Sequence, residues 1–267
     1  MSNFFTNGEN NKNNFFSEKN EGNFLSVDSN DNKPRSMSEQ YNDLKNNYEE
    51  IFIEAAESIR RELDTFKPEN PCAVCNIKDC KIEKKDIFAS YPPNCVYHSW
   101  QLKAITYLAG DYRQKLKAEY KAIMDKKSEY SCSCCGACCK LAASEYSYEQ
   151  LKQRAMRGDK FSADFISVFV PYEREEDAKQ VNPEYFDMLN ILVGDEKVYF
   201  YHCPKVVNNL CSIYDNRPDI CKDFPHNPLK LLPSSCSYNA WKDAVSHQAM
   251  LLKAKTDIIN FYKEKLQ

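Results

Sequence analysis

The chain has 267 residues, enough for one large domain or two smaller ones with a core that needs no covalent help. Its 36 basic and 39 acidic residues leave a formal net charge of −3, which excludes the global basic footprint of a nucleic-acid-binding protein. No apolar run reaches bilayer-spanning length, and the opening residues lack a basic stretch followed by an apolar one, so neither a membrane nor a secreted protein is expected and the default compartment is the cytoplasm.

Residues 1–35 are rich in Asn, Ser, Asp, Glu and Lys. They carry too little apolar surface to offset their ordering entropy and are expected to form a disordered tail, with Phe4-Phe5 and Phe15-Phe16 as candidate docking points for a protein partner. Ser36 and Glu39 form a capping box for a long amphipathic helix. Its stripe of Tyr41, Leu44, Tyr48, Ile51, Phe52, Ala55, Ile59, Leu63 and Phe66 ends at Pro68 and Pro71. An irregular cysteine-bearing segment, Cys72 to Cys95, leads to a second helix from about Tyr97 to Lys127, and the two helices can pair as a hairpin.

Beyond the dense cysteine segment, Ser147 with Gln150 opens a short helix that Gly158 closes, and Ser162 is a candidate cap for another. Asn182-Pro183 starts a further helix, with Gly194 at its far end. Lys197–His202 reads as a strand, and a second strand near Leu210–Tyr214 is placed to pair with it across Asn208-Asn209. Glu173–Asp177 reads as a solvated charged face, and the last helix runs from about Tyr238 to Lys265. The fold class is mainly α with a small β-hairpin, an α+β arrangement with irregular cysteine-rich segments between helices.

Thirteen cysteines are present, five of them within Cys132–Cys139. An odd count forbids complete internal pairing, a reducing cytosol disfavours disulfides, and adjacent cysteines are poor partners for each other. Thiolates held by metal are therefore the main reading. Cys132-x2-Cys135-x2-Cys138 has the spacing of an iron–sulfur binding loop, and Gly136 relaxes the chain between ligands. The ferredoxin continuation is missing, because position 142 is Ala. Cys139 either serves a second centre or stays free, and Cys134, which breaks the two-residue interval, is the spare thiol.

Downstream, Cys203, Cys211, Cys221 and Cys236 supply four more sulfurs. Pro218 suits the first turn of a short helix carrying Cys221. Arg217 can offer its planar fork to a carboxylate, a carbonyl or a centre's sulfurs, or make a structural hydrogen bond. His202 and His226 flank these cysteines, although lone histidines are more often packing residues than ligands; His247 in the last helix is bland.

The combination of Cys132-x2-Cys135-Gly-x-Cys138-Cys139 with Cys203, Cys211-Ser-Ile-Tyr214, Arg217-Pro218-x2-Cys221 and Phe224-Pro225 resembles the YkgJ-type cysteine-cluster family, a zinc- or iron-chelating domain. The resemblance covers about residues 130–236. Where that family often has Arg after the equivalent of Cys221, this chain has Lys222. One relative built on such a domain is the flagellin lysine methylase. The implied organisation is a tail at 1–35, a helical hairpin with a first cysteine cluster at 36–129, and a zinc- or iron-chelating domain at 130–267.

The first cluster, Cys72-x2-Cys75-x4-Cys80 with Cys95-x2-His98, contains a zinc-ribbon-like frame in which either Cys80 or His98 is the fourth ligand, the alternative being an unmetallated loop of buried thiols. For the second, both zinc and a [4Fe–4S] cluster suit thiolate surroundings, and the spacing tilts slightly toward the cluster. Three function classes follow: a metal-chelating protein with a redox or electron-transfer role, a catalytic domain related to the methylase, and an interaction protein with purely structural zinc. A glycine-rich nucleotide motif is absent, since no G-x-G occurs, and so is the C-x3-C-x2-C radical motif, since position 141 is Leu.

Overall fold

The computed structural model describes residues 35–68, 87, 89–193 and 197–265. The expected tail over 1–34, Cys72, Cys75, Cys80 and Gly194 lie outside the described residues. Two compact units form, one from 44–126 with 245–265, the other from 35–43 with 127–244. Among the described residues no helix is long and apolar enough to cross a membrane.

Helix α1 (Met37–Asp64) begins at the expected capping box. The Ser36 amide donates to Glu39 Oε2 at 2.7 Å, and the Glu39 amide donates to Ser36 Oγ at 3.2 Å. In the first unit its stripe buries Ile51, Ala55, Ile59 and Leu63 at four-residue steps. The expected second helix is two helices, α2 (Val96–Tyr107) and α3 (Arg113–Asp125), joined by a π-turn at Leu108–Tyr112. The wider turn left no mark in the sequence, because Leu108 and Tyr112 are both buried and keep the stripe going. Trp100 Nε1 donates to the Leu63 carbonyl at 3.2 Å, and Tyr112 bonds Ser58, so α1 and the α2–α3 pair run in opposite directions.

In the second unit a three-stranded antiparallel sheet, β1 (Ala142–Ser144), β3 (Tyr199–His202) and β2 (Val170–Pro171), lies between two helix layers. Strand alternation explains the layers. Tyr201 and Cys203 point to one core, with Leu151 of α5 (Tyr148–Met156) and Phe165 and Val168 of α6 (Lys160–Val168). Phe200 points to the other, with Ala178 of α7 (Glu175–Val181) and Phe186 and Leu189 of α8 (Pro183–Val193). Each large apolar side chain buried here contributes about 1.5–3 kcal/mol.

The α+β class holds, but the strand pairing differs from the one expected. Leu210–Cys211 (β5) pairs with Val206–Val207 (β4), not with residues 197–202. Asn208 and Asn209, at φ 49° and 66°, form a two-residue turn with both centres in the left-handed region, which closes a hairpin on its immediate neighbours. Strand β3 is thereby free to take β1 and β2 on its two edges.

One local reading changes, while the acidic run keeps its expected solvated face, with Glu173, Arg174, Glu175 and Glu176 exposed. Asp159, not Ser162, caps α6, accepting from the Phe161 and Ser162 amides, while Ser162 Oγ donates to Asp159 Oδ2 at 2.9 Å. The acidic run at 173–177 opens α7, whose first turn holds Glu175, Glu176 and Asp177 where the helix dipole favours negative charge.

Asp159 gives a testable stability. Burial opposes its charge, but hydrogen bonds from Ser162 and Arg154 outweigh it and hold the carboxyl below the ordinary carboxylate range. D159A should therefore cost about 1–2 kcal/mol at neutral pH. A depressed carboxyl stabilises above its unfolded pKa of about 3.9, and that stability is lost as pH falls through the lower folded value. Urea unfolding at neutral and acid pH checks this: the deficit of the variant should shrink in acid.

Candidate metal centre

Residues 130–136 form an irregular loop, and the short helix α4 (Ala137–Lys140) then carries Cys138 and Cys139. Three tethers hold this segment against the downstream cysteines. The Cys203 amide donates to the Cys139 carbonyl at 2.7 Å, extending the β1–β3 pairing. Ser237 Oγ donates to the Ser131 carbonyl at 2.6 Å and accepts the Ser133 amide at 3.0 Å, fixing the start of the loop beside Cys236. Gly136, at φ 74°, lies so close to the β4–β5 turn that a Cβ there would stand 3.2 Å from the Asn209 carbonyl oxygen. That contact sets the loop next to the hairpin carrying Cys211.

Cys221 arrives on α9 (Asp219–Lys222). Pro218 is the N-cap of this helix, one position earlier than expected, and its carbonyl accepts the Cys221 amide at 2.9 Å. Ile220 and Cys221 pack on the Tyr201 core.

These tethers gather all nine cysteines of the second half. Cys132, Cys134, Cys135, Cys138, Cys139, Cys203, Cys211, Cys221 and Cys236 line one cavity of about 170 Å³. That is below the roughly 300–1,000 Å³ of pockets for organic ligands. Its remaining walls are largely apolar, including Phe165, Val168 and Phe169, while Arg217, His226 and Lys230 are also on the lining. His202 is not on it; its ring lies 4.8 Å from that of Tyr172. The thiols are free, and among the described residues no three Cys, His, Asp or Glu side chains stand together in ready-made metal geometry.

The backbone treats four of these sulfurs alike. Cys132 Sγ accepts the amide of Cys134 at 3.3 Å, Cys135 that of Ala137, Cys203 that of Lys205, and Cys236 that of Tyr238. In each case the donor lies two residues on. Such N–H donors favour thiolate over thiol and are the hydrogen bonds that tune sulfur ligands in metal centres.

Two thiol pairs share protons. Cys135 and Cys236 bond to each other, and this bond, joined by the Ala137 amide and the Ser235 hydroxyl, overcomes burial and lowers Cys135. The same bond pushes Cys236 up. Cys138 and Cys139, with sulfurs 3.9 Å apart, behave likewise: either can donate to the other, so one of the two is favoured as thiolate and the other is held as thiol. Burial raises Cys203 and, to about 11, Cys221, and neighbouring thiolates add to it.

Arg217 stacks its guanidinium on the Tyr214 ring at 3.7 Å and donates Nε to the Tyr214 carbonyl at 2.8 Å. Burial works against its charge, and Tyr214, Cys132 and Cys211 outweigh that, so the cation is held firmly beside the thiols. Its position combines the two roles open in the sequence, since one N–H is structural and the charge faces sulfur.

Residues 131–244 match the CxxCxxCC family, described as a putative zinc- or iron-chelating domain. The cysteine-cluster resemblance read from the sequence therefore stands. No curated protein and no solved structure matches the chain. All nine cavity cysteines fall within the CxxCxxCC segment.

The first cluster falls outside this match. Cys95 is buried at the N-cap of α2, and its carbonyl accepts the His98 amide at 2.9 Å. Cys72, Cys75 and Cys80 lie outside the described residues, so the structure describes only the Cys95–His98 end of that expectation.

Sequence reasoning missed three contributors to the CxxCxxCC site: Ser237, Asn209 and Lys230. Nothing in their local pattern marks them, because each acts through a partner distant in the chain.

Gly136 offers a direct check on how the site is assembled. G136A places a Cβ in the left-handed region and against Asn209, which should cost about 1–2 kcal/mol. G110A, in the helical π-turn with open space around its Cβ, should instead stabilise by about 0.5–1 kcal/mol. Denaturant midpoints of the two variants should move in opposite directions.

Proposed function

We propose that the CxxCxxCC domain holds an iron–sulfur centre of the [4Fe–4S] kind and serves a redox or electron-transfer role in the cytoplasm. The observation that carries this reading is the set of four sulfurs, Cys132, Cys135, Cys203 and Cys236, each met by a backbone N–H inside a single cavity. The donor set is all thiol and therefore soft, which selects zinc or iron–sulfur over hard cations. A mononuclear tetrahedral zinc site is complete with four thiolates. A [4Fe–4S] cluster likewise takes four, so nine thiols on one cavity exceed the needs of either; the Cys132-x2-Cys135-x2-Cys138 spacing is what tilts the reading toward the cluster.

When bound, such a cluster supplies one-electron chemistry. The residues of the chain bind and enclose it. Within each of the pairs Cys135–Cys236 and Cys138–Cys139, the hydrogen bond between the sulfurs favours one thiolate. Cys138, Cys211 and Cys221 complete the candidate ligands, and Arg217 offsets the charge of Cys132 and Cys211. Phe165, Val168 and Phe169 keep water from that side of the cavity. Cys134 lies on the lining at φ 56° and breaks the two-residue interval of the motif, so it is taken as the spare thiol of the dense segment.

Metal analysis of cysteine variants purified without oxygen tests the assignment. C135S and C221S should each lose most of the bound iron, whereas C134S should keep it. Full retention in a C135S/C221S double variant, or equal loss in C134S, would contradict the ligand set.

A further inference from the structure

The CxxCxxCC motif accounts for the thiols but not for the lysine beside them. Lys230 lines the same cavity, with its ammonium 4.9 Å from the centre of the Phe224 ring. Among the described residues no carboxylate pairs with it and no side chain bonds its Nζ. An ammonium on the wall of a largely apolar cavity without an anionic partner is costly, and charges of this kind are normally paired. Desolvation lowers its pKa, and a thiolate at Cys138 is the charge that works against this.

The surroundings hold this lysine in place. Asn227 makes a turn that accepts the Leu229 amide on Oδ1 at 2.8 Å and the Lys230 amide on its carbonyl at 3.1 Å. Pro225 and Pro228 on either side of Asn227 are fully buried. Two residues on, Leu232 is locked by Gln40, which donates Nε2 to its carbonyl at 2.7 Å and accepts its amide at 3.2 Å. A flexible surface lysine has no need of such a mounting.

We propose that Lys230 is a fixed counter-charge for the anionic thiolate centre, a role that rests on the metal-centre reading above. Four thiolates around a dipositive ion or cluster leave a net charge of about −2 in a largely apolar cavity. Such an anion is stabilised by a cation already in place, because the protein then needs no reorganisation to receive it. Arg217, stacked on Tyr214, and Lys230, over the Phe224 ring, reach the cavity lining from different segments, so the two cations approach the thiols separately. Lys230 is a positioning charge, not a ligand.

The test is zinc binding by the reduced, metal-free full chain, with Zn²⁺ added in competition with a chromophoric chelator. K230M, of similar length but uncharged, should weaken binding by about 10–100-fold. K230R should stay close to the parent protein, and K152M, which removes an exposed lysine paired with Glu149, should change nothing. K230Q is measured in parallel, so that a packing fault peculiar to methionine is recognised. Unchanged affinity in both K230M and K230Q, or an equal loss in K230R, would overturn the counter-charge role while leaving the metal centre intact. A parent protein that takes up no zinc would overturn the counter-charge role as stated for zinc, while the metal-centre reading is judged separately by the iron content of the anaerobically purified chain.

Discussion

The structure of the cysteine domain depends on one antiparallel pairing. Strand β1 leaves the dense cysteine segment, β3 leads into the downstream one, and their ladder ends in the bond from the Cys203 amide to the Cys139 carbonyl. Because β3 alternates, Tyr201 and Cys203 share a face, and the core that fixes Tyr201 also fixes Cys203. The helices between the two motifs cover this sheet on both sides, so the long excursion serves as the clamp that brings the two motifs together. Ser237 and Gly136 then set the loop to the remaining cysteines.

Much of this was legible from local chemistry. The capping boxes at Ser36 and Ser147 and the Asn182-Pro183 start each act within four residues, and all three form as written. The cysteine-cluster motif, with Arg217 and Pro218, was equally readable, because ligand spacing and turn residues are sequence-local. What escaped was long-range. β1 is three residues, Ala142–Ser144, and β2 two, Val170–Pro171, too short to show any alternation. The hairpin partner was misjudged because a two-residue Asn-Asn turn reaches back only to residues 206–207. Lys230 reads in sequence as an ordinary lysine, and only the fold places it against thiols.

The chemistry of the cavity follows from a tension between sulfur and burial. Thiols packed among Phe165, Val168 and Phe169 resist ionisation, as Cys203 and Cys221 show. Backbone amides two residues beyond four cysteines, a proton shared within each of two pairs and the Arg217 cation push the other way. An arrangement that spends this many polar contacts on stabilising thiolate negative charge suits a bound metal centre better than a set of spare thiols. The zinc- or iron-chelating description of the CxxCxxCC domain agrees with that chemistry.

X-ray absorption at the iron and zinc edges of the anaerobically purified chain tests the central claim most directly. The account predicts iron surrounded by sulfur with a second shell of neighbouring iron. Zinc as the sole metal, or iron without an iron neighbour, would contradict it.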